Sequence, residues 1–475
     1  MTTTSLPDVT PPGPRGRANA RYLQRLFSDP APALDALRAE YGPICRLGYP
    51  GVRLAIIGGP ALMHEMFSMK ADAFRWNHKF NAIGVRFVVG KQSMIVSDGT
   101  DHQRRRGAVQ RAFTRPRLNG WIPMIMQRTD TAIDQLIASP VGHAPPVDLY
   151  PIGRDLILGI TIHAFFGERL ASRTAEFSDL FQRAQAFIEA PAIRQLPHPF
   201  PFTARSRVRA DRKAIDRIID EEVADRRANR VGDPLDILEV VANDTTLSDA
   251  EIRDQVDTLI GAGYDTTAST LAWLLWRAAT EPGVWQQLRA EADLVLGPTN
   301  GPTTQPNEAS FVRLEYAQRV VHESLRLHPA GLIGARVAAT DLQLGNYRIS
   351  KGTLIVWSPH LAGRDHSVWA DPLRFDPDRH RDLTPAQKSA TDRAWVPFGR
   401  GPHMCIGFAL AQMELTLIIA RIAQRLDLSP TSLAVPRPVG MVVNRPQGGA
   451  PFGVNPASRA PRSGREAPGP DTPQR

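Results

Sequence analysis

Cysteine is almost absent from this chain, which has 2 among its 475 residues, Cys45 and Cys405. That count excludes a disulfide-stabilised scaffold, a cysteine-rich zinc module and an iron–sulfur cluster held by four thiolates of this chain. It leaves open a site that needs a single thiolate. The sequence also lacks any long uninterrupted apolar run, so we expect neither a signal peptide nor a transmembrane anchor, and a cytoplasmic location.

The charge balance is basic but only mildly so, with a formal net charge of +9. Residues 1–21 and 456–475 each contribute two of these charges, so the chain between them carries five. No nucleic-acid-binding motif accompanies that excess, and we therefore expect no nucleic-acid partner. A hydrophobic content of 42% with 22% charged residues is typical of a globular protein with a large core.

Helical periodicity dominates the chain, and the strand-like pieces are few. We predict long helices over residues 101–113, 121–138, 152–168, 173–190, 204–228, 249–280, 311–327 and 406–425. We predict short strands over residues 52–57, 342–344 and 354–356. The predicted fold class is therefore mainly α with small β-sheets. We expect one domain over residues 21–454, between a disordered Pro- and Arg-rich segment at 1–20 and a disordered tail at 455–475.

The segment around Cys405 reads FGRGPHMCIGF and is the most informative part of the sequence. Its glycines favour a tight turn with close backbone approach to a flat group. The apolar stretch that follows predicts a helix, so Cys405 stands near a helix N-terminus, where backbone N–H groups favour thiolate over thiol. Cys45 lies beside a predicted strand and is typical of a buried cysteine without a role.

This pattern of Phe, Gly, Gly, His, Cys and Gly resembles the haem-binding signature of the cytochromes P-450. The resemblance implies that Cys405 is the axial ligand of haem b, with Phe398 and His403 beside the cofactor. It also implies the cytochrome P-450 fold, in which haem lies between a long central helix and the helix that follows the cysteine loop.

A second similarity to the family lies upstream of the cysteine loop. Glu323 and Arg326 are three residues apart and share a helix face, where they can pair. The family completes such a pair with an arginine from a later loop, and Arg379 in FDPDRH is the candidate here. The following position is His380, where the family usually has phenylalanine. This cluster is implied to be structural.

The predicted helix at 249–280 has a capping box formed by Ser248 and Glu251. Its middle reads GAGYDTT, which is a costly sequence for a helix because glycine and threonine are poor helix formers. Thr266 can donate to the carbonyl of Ala262 and open the helix locally. The segment resembles the family's oxygen-activation motif, with Asp265 and Thr266 as the acid–alcohol pair. A glycine-mediated helix crossing is the alternative.

Four further residues match the family's partners of the haem propionates. His102 and Arg106 are four residues apart, on one face of a predicted helix. His403 and Arg336 complete the set by the resemblance. Carboxylates buried against a porphyrin need such donors, because unpaired charge there is unfavourable. The alternative is an ordinary basic helix that binds nothing.

The resemblance implies a haem-thiolate monooxygenase that inserts one oxygen atom from O2 into an apolar small molecule. Electrons would come from a separate ferredoxin or flavodoxin and its reductase, and such acidic carriers give Arg104, Arg105 and Arg111 a possible docking role. The alternatives are a haem-thiolate peroxygenase, an isomerase or dehydratase that does not use O2, and a haem sensor without catalysis.

Family analogy also predicts which side chains line the substrate pocket, and most of them are aromatic. They are Trp76, Phe80, Phe87, Phe181, Phe187, Leu332, Ile333 and Met441. The few charges among them favour a sizeable apolar substrate such as a lipid, terpenoid, steroid or polyketide. The proline-rich segment 191–202 is predicted to be a lid that gates the pocket or touches a membrane surface.

Overall fold

The architecture was obtained as a computed structural model. The structure describes residues 9–49, 51–77, 85–138, 146–171, 174–188, 200–230, 236–298 and 306–458, together with residues 190, 195 and 198. Residue 80 and most of the predicted lid at 191–202 lie outside this part of the chain.

Helices make up most of the described structure. Their bounds are α1 Gly16–Ser28, α2 Pro30–Tyr41, α3 Pro60–Ser68, α4 Gly99–Gln110, α5 Arg115–Gly120, α6 Ile122–Ala138, α7 Leu149–Phe166, α8 Glu168–Ala171, α9 Thr174–Ile188, α10 Ala204–Arg227, α11 Ile237–Ala242, α12 Asp249–Thr280, α13 Val284–Leu296, α14 Glu308–Arg313, α15 Glu315–Leu327, α16 Pro359–Ala362, α17 Pro385–Ala394 and α18 Phe408–Arg425. Short 3-10 turns cover Ala71–Ala73, Met94–Val96 and Pro377–His380.

The strands are short and form small sheets. Their bounds are β1 Ile44–Tyr49, β2 Val52–Ile57, β3 Phe74–Arg75, β4 Val147–Asp148, β5 Gly334–Ala338, β6 Leu342–Leu344, β7 Tyr347–Ile349, β8 Leu354–Trp357, β9 Leu426–Pro430, β10 Pro438–Val439, β11 Arg445–Pro446 and β12 Pro451–Pro456. The largest sheet has the order β1-β2-β8-β5-β3, and its β2 and β8 strands run parallel. The mainly α class with small sheets is confirmed.

The predicted central helix is confirmed at both ends, since α12 covers Asp249–Thr280. The Ser248 hydroxyl accepts from the amide of Glu251, and the Glu251 carboxylate accepts from the amide of Ser248 at 3.0 Å. Pro282 follows the last turn and cannot continue it. Most of α12 is buried, and the fully buried Trp273 donates to the carbonyl of Asn444 at 3.1 Å. Helix α12 therefore lies at the centre of the hydrophobic core.

The other predicted helices are found with shifted ends, and one of them is divided. The expected helix at 311–327 is interrupted at Leu314, which separates α14 from α15. Helices α1, α2, α3, α13 and α17 were not predicted, and neither were the short helices α5, α8, α11 and α16. No helix within the described ranges is long and apolar enough to cross a membrane.

Ordered segments extend past both ends of the predicted domain at 21–454. Helix α1 begins at Gly16, inside the segment 1–20 that the sequence predicts to be disordered. The carbonyl of Pro12 accepts from the amide of Arg46 at 2.7 Å. At the other end, β12 continues to Pro456, past the predicted boundary at 454. Residues 1–8 and 459–475 lie outside the described chain.

Candidate active site

The loop before α18 turns tightly and places Cys405 at its end. Gly399 and Gly401 have φ angles of 67° and 78°, a conformation that favours glycine. The amide of Cys405 donates to the carbonyl of Phe398 at 2.9 Å, which closes the loop. Gly407 caps α18, so the thiol lies next to the first turn of this helix. The glycines at 399 and 401 thus have the backbone role that the sequence predicted.

The Cys405 side chain is exposed and lines two neighbouring cavities. Burial among protein atoms raises the pKa of the Cys405 thiol, while a hydrogen bond from the Gly407 amide and the charge of Arg106 act to lower it. The net shift is upward. The Gly407 amide thus acts in the direction predicted for a helix N-terminus, although desolvation outweighs it in the protein alone.

Thr266 and Cys405 lie on the wall of one cavity of about 370 Å³. The hydroxyl of Thr266 donates to the carbonyl of Ala262 at 2.7 Å, as the sequence predicted. The local opening of α12 expected from this bond is not seen, since the helix is continuous through Thr266. The fold nevertheless brings the centre of α12 and the cysteine loop to the wall of the same cavity.

Asp265 points to another side of α12 and is not part of the cavity wall. Its buried carboxylate accepts a hydrogen bond from the Tyr150 hydroxyl at 2.8 Å. Burial raises the pKa of Tyr150, and the charge and hydrogen bond of Asp265 raise it further. Sequence reasoning missed Tyr150, because no local pattern connects the start of α7 with the middle of α12.

Three aromatic rings form a stack beside the cysteine loop. His403 lies between Trp76 and His102, with centroid distances of 3.8 Å and 3.7 Å. Burial, with the charge of Arg106, lowers the pKa of His102 to about 4. Burial and the neighbouring His102, Arg336 and Arg106 lower the pKa of His403 to about 2. Both imidazoles are therefore neutral near pH 7.

Two guanidinium groups accompany this stack and have no carboxylate in ion-pair range among the described residues. Arg336 is 4% exposed, and its Nε has no hydrogen-bond partner. Its charge lies over the rings of Phe67 and Phe74 at 4.8 Å and 4.9 Å, and burial lowers its pKa to about 10. Arg106 lines the cavity beside Cys405, and burial lowers its pKa as well.

This arrangement fits the haem that the resemblance implies. A buried cation without a counter-ion is unfavourable, and an anionic ligand would remove that cost. Arg106 and Arg336 supply positive charge, and His102 and His403 supply neutral ring donors. Cys405 supplies a sulfur on the wall of the cavity that His102, His403 and Arg106 also line. The residues present are therefore suited to a flat, dianionic iron porphyrin.

The Glu323 cluster is confirmed and has one more member than expected. Glu323 and Arg326 form a fully buried ion pair at 2.7 Å, and Arg379 Nε donates to Glu323 at 2.9 Å. His380 Nε2 lies 3.0 Å from the other Glu323 oxygen. Burial would raise the pKa of Glu323, but hydrogen bonds from Arg326 and His380 and the charge of Arg379 lower it to about 2.

The arginines predicted to dock an electron carrier are engaged within the protein instead. Arg104 and Arg105 both bind the Glu251 carboxylate at the start of α12, and Arg105 is buried. Arg111 pairs with Asp244. Each of the three neutralises a carboxylate of this chain, and their docking role stays a prediction, with Arg111 the most exposed of them.

Of the side chains predicted to line the substrate pocket, only Ile333 lies on the wall of the cavity among those described. Trp76 belongs to the ring stack, Phe87 packs against Phe187 at 5.2 Å, and Phe181 packs against Tyr264. Leu332 is fully buried in a separate core cluster, and Val442 rather than Met441 reaches the cavity. Apolar wall residues that the prediction missed are Met94, Ile95, Phe165 and Leu325.

Glu414 is a buried acid on the cavity wall that sequence reasoning also missed. Burial raises its pKa to about 8, and its Oε1 has no hydrogen-bond partner in the described structure. It is therefore largely protonated at neutral pH. A single carboxyl inside the apolar stretch of α18 was the signal available in the sequence.

Comparison with known proteins gives a consistent result over nearly the whole chain. A family model described as Cytochrome P450 matches residues 11–449. Putative cytochrome P450 139 of Mycobacterium tuberculosis is 32% identical over 400 residues, which cover 83% of this chain and 90% of that protein. Cyclooctat-9-en-7-ol 5-monooxygenase of Streptomyces melanosporofaciens is 32% identical over 357 residues, covering 71% of this chain and 73% of that protein.

A solved structure shares the architecture. The retinoic-acid-bound cyanobacterial CYP120A1 superposes with a TM-score of 0.80 over 96% of this chain and 100% of the other, at 22% sequence identity. The likeness supports the fold drawn from the helices and sheets above.

Proposed function

The chain belongs to the cytochrome P450 family and is an oxidoreductase, and from that premise we propose that it is a monooxygenase acting on an apolar small molecule. The observation that carries the proposal is the cavity shared by Cys405 and Thr266. A thiol that can ligate iron and an alcohol on α12 at the same cavity are groups suited to O2 activation at a haem.

Haem b, when bound, supplies the redox chemistry and the site of O2 activation. In the proposal, Cys405 would ligate the iron, and the hydrogen bond from the Gly407 amide would stabilise its sulfur. Arg106 and Arg336 would hold the carboxylates of the cofactor: Arg336 is buried with an unpartnered Nε, and Arg106 is half-buried on the cavity wall. Phe398 lines the cavity beside the loop and excludes water from it.

Proton supply falls to the acid–alcohol pair. Thr266 stands on the cavity wall, where its hydroxyl can orient water and pass a proton inward. Asp265 is adjacent in sequence but faces α7 through Tyr150, so it can exchange protons on that side of α12. In the proposal, a proton passes between these adjacent residues, from the polar region beside Tyr150 to the cavity.

A sizeable apolar substrate, such as a terpenoid, lipid, steroid or polyketide, suits the apolar part of the cavity that Cys405 and Thr266 share. The side chains of Ile95, Phe165, Leu259, Ile333 and Val442 line it, and threonine hydroxyls are among the polar groups of the cavity. One relative is named for the oxygenation of cyclooctat-9-en-7-ol, and this supports a terpenoid first among these classes.

We place the docking of a separate ferredoxin or flavodoxin on the face where a cavity of about 760 Å³ reaches Cys405. Phe408 is 39% exposed there, and Arg115 is exposed at its rim with only a surface partner in Glu308. This combination suits an acidic carrier with an apolar contact centre. The short path to the sulfur favours this face for electron transfer.

The spectrum of the reduced protein with CO tests the proposal, with Cys405→Ser as the variant and Cys45→Ser as the matched control. We expect a thiolate-type spectrum in the wild type and the control, and its loss in Cys405→Ser. A histidine-type spectrum in the wild type would contradict the haem-thiolate assignment. Product formed with peroxide but never with O2, reductase and carrier would favour the peroxygenase alternative, and haem binding without any product would favour a sensor.

A further inference from the structure

The phenol of Tyr150 reaches from the first turn of α7 to the centre of α12. Its hydroxyl donates to Oδ1 of Asp265 at 2.8 Å. Asp265 is 3% exposed, whereas Tyr150 is half-buried, so the pair extends from the core towards a partly exposed side chain. None of the recognised motifs includes Tyr150.

The backbone holds Tyr150 in this position. Asp148 caps α7, and its carboxylate accepts from the amide of Tyr150 at 3.0 Å. The amide of Leu149 donates to the carbonyl of Ala450 at 2.8 Å, which ties the start of α7 to β12. The phenol is therefore presented to α12 by a fixed turn.

The surroundings keep Tyr150 a hydrogen-bond donor. Burial raises its pKa, the charge and hydrogen bond of Asp265 raise it further, and Arg445 and Arg154 oppose the shift. The Arg154 guanidinium lies 5.8 Å from the centre of the Tyr150 ring. The hydroxyl thus remains protonated and able to donate to a carboxylate throughout the neutral range.

We propose that Tyr150 is a positioning residue for proton delivery, whose hydroxyl holds the Asp265 carboxylate turned towards α7. Asp265 takes up a proton from solvent on that side and releases it towards Thr266, and the phenol keeps its own proton. The proposal rests on the proposed function, since it assigns a support to the acid of the acid–alcohol pair. A hydrogen bond to a charged group is strong enough to set such an orientation.

Tyr264 provides a matched control on the same helix. Its hydroxyl is buried, has no partner in the described structure, and its ring packs against Phe181 at 6.2 Å between centroids. Tyr264→Phe and Tyr150→Phe each remove one phenolic oxygen. Only the second removes a hydrogen bond to Asp265.

The experiment compares Tyr150→Phe, Tyr264→Phe, Asp265→Asn and the double variant Tyr150→Phe with Asp265→Asn as holoproteins. NADPH consumption is measured at saturating [2Fe–2S] ferredoxin and its reductase, in water and in D2O, with geranylgeraniol as the probe compound. Chemical unfolding of the same four proteins gives a second readout that does not depend on turnover.

We expect Tyr150→Phe to slow NADPH consumption on the order of tenfold, the effect of one lost hydrogen bond to a charged group, and to raise the solvent isotope effect. Tyr264→Phe should match the wild type in the rate of NADPH consumption and in the solvent isotope effect. The double variant should be no slower than Asp265→Asn, and its loss in unfolding midpoint should be smaller than the sum of the two single losses.

A wild-type rate and isotope effect in Tyr150→Phe, with slow turnover in Asp265→Asn, would overturn the role of Tyr150 and leave the proposed function intact. Wild-type rates in both variants would overturn the role of Tyr150 together with that of Asp265. Equal slowing by Tyr264→Phe would show a general packing effect and also overturn the proposal.

Discussion

The indole of Trp395 lies flat on the imidazole of His322, with 3.7 Å between the ring centroids and 8° between the planes. Its Nε1 also donates to the carbonyl of His322 at 3.1 Å. His322 meets the edge of His380 at 4.2 Å, and Trp395 contacts Phe398 at 5.8 Å. The buried Glu323 cluster is thereby connected to the cysteine loop through packed rings.

Breaking the centre of that cluster should destabilise the protein strongly. Glu323→Gln leaves the buried guanidiniums of Arg326 and Arg379 without their carboxylate, and we expect a loss of about 3–5 kcal/mol in the free energy of unfolding. The control is Asp378→Asn, which breaks the exposed pair with Arg319 and should cost about 0–1 kcal/mol. Equal losses in chemical unfolding would contradict the structural role of the cluster.

The stability difference between the wild type and Glu323→Gln should depend on pH. The folded protein lowers the pKa of Glu323 from 4.5 to about 2, so its carboxylate stabilises the fold above the unfolded value. This contribution should disappear as the pH falls from about 4.5 through about 2, where the folded protein binds the proton. The difference in stability between wild type and Glu323→Gln should shrink over this window, and a constant difference would refute the assignment.

Removing the charge of Arg336 should have opposite effects on the protein without and with haem. Arg336→Met eliminates a buried, unpaired cation, so the haem-free protein should gain about 1–3 kcal/mol of stability. The haem-bound protein should lose cofactor faster, measured by transfer of haem to apomyoglobin. The exposed Arg313→Met serves as control, and a variant that weakens both states would show that Arg336 has its partner within the protein.

Thr266→Ala should leave haem binding intact but weaken the coupling of NADPH consumption to product formation. The thiolate spectrum should persist, because the hydroxyl bonds only the carbonyl of Ala262 in the described structure. Peroxide released per NADPH should rise severalfold, because the cavity loses its ordered alcohol. Thr280→Ala removes a similar hydroxyl-to-carbonyl bond on the same helix, away from the cavity. Unchanged peroxide in Thr266→Ala would remove this residue from the relay.

Charge reversal at two arginines tests where the electron carrier docks: at Arg104, as the sequence predicts, or at Arg115, on the face beside Cys405. Arg104→Glu puts two carboxylates together at the start of α12, so we expect a lowered unfolding midpoint. Arg115→Glu loses only an exposed pair and should keep its midpoint while reduction by the carrier slows. Stopped-flow reduction measures the second effect, and an unchanged rate in Arg115→Glu would place docking elsewhere.

Elements with local signals were predictable from the sequence. The bounds of α12 follow from the capping box of Ser248 and Glu251 and from Pro282, all within a few residues of the helix ends. The cysteine loop follows from the glycine spacing around Cys405, because two of its positions require a backbone that glycine favours. Helix α17, although capped by Thr384, lacked the apolar periodicity that made the others visible.

Long-range pairing was decided by the tertiary structure alone. The sequence identified Asp265 but not the phenol bonded to it, 115 residues away in the chain. It identified Arg104 and Arg111 as basic but not the carboxylates that bind them, and it assigned Trp76 to a substrate wall rather than to the ring of His403. Capping and turn preferences act over a few residues, so one sequence contains them. The partner of a charged or aromatic side chain depends on which distant surfaces pack together, and only the folded chain determines that.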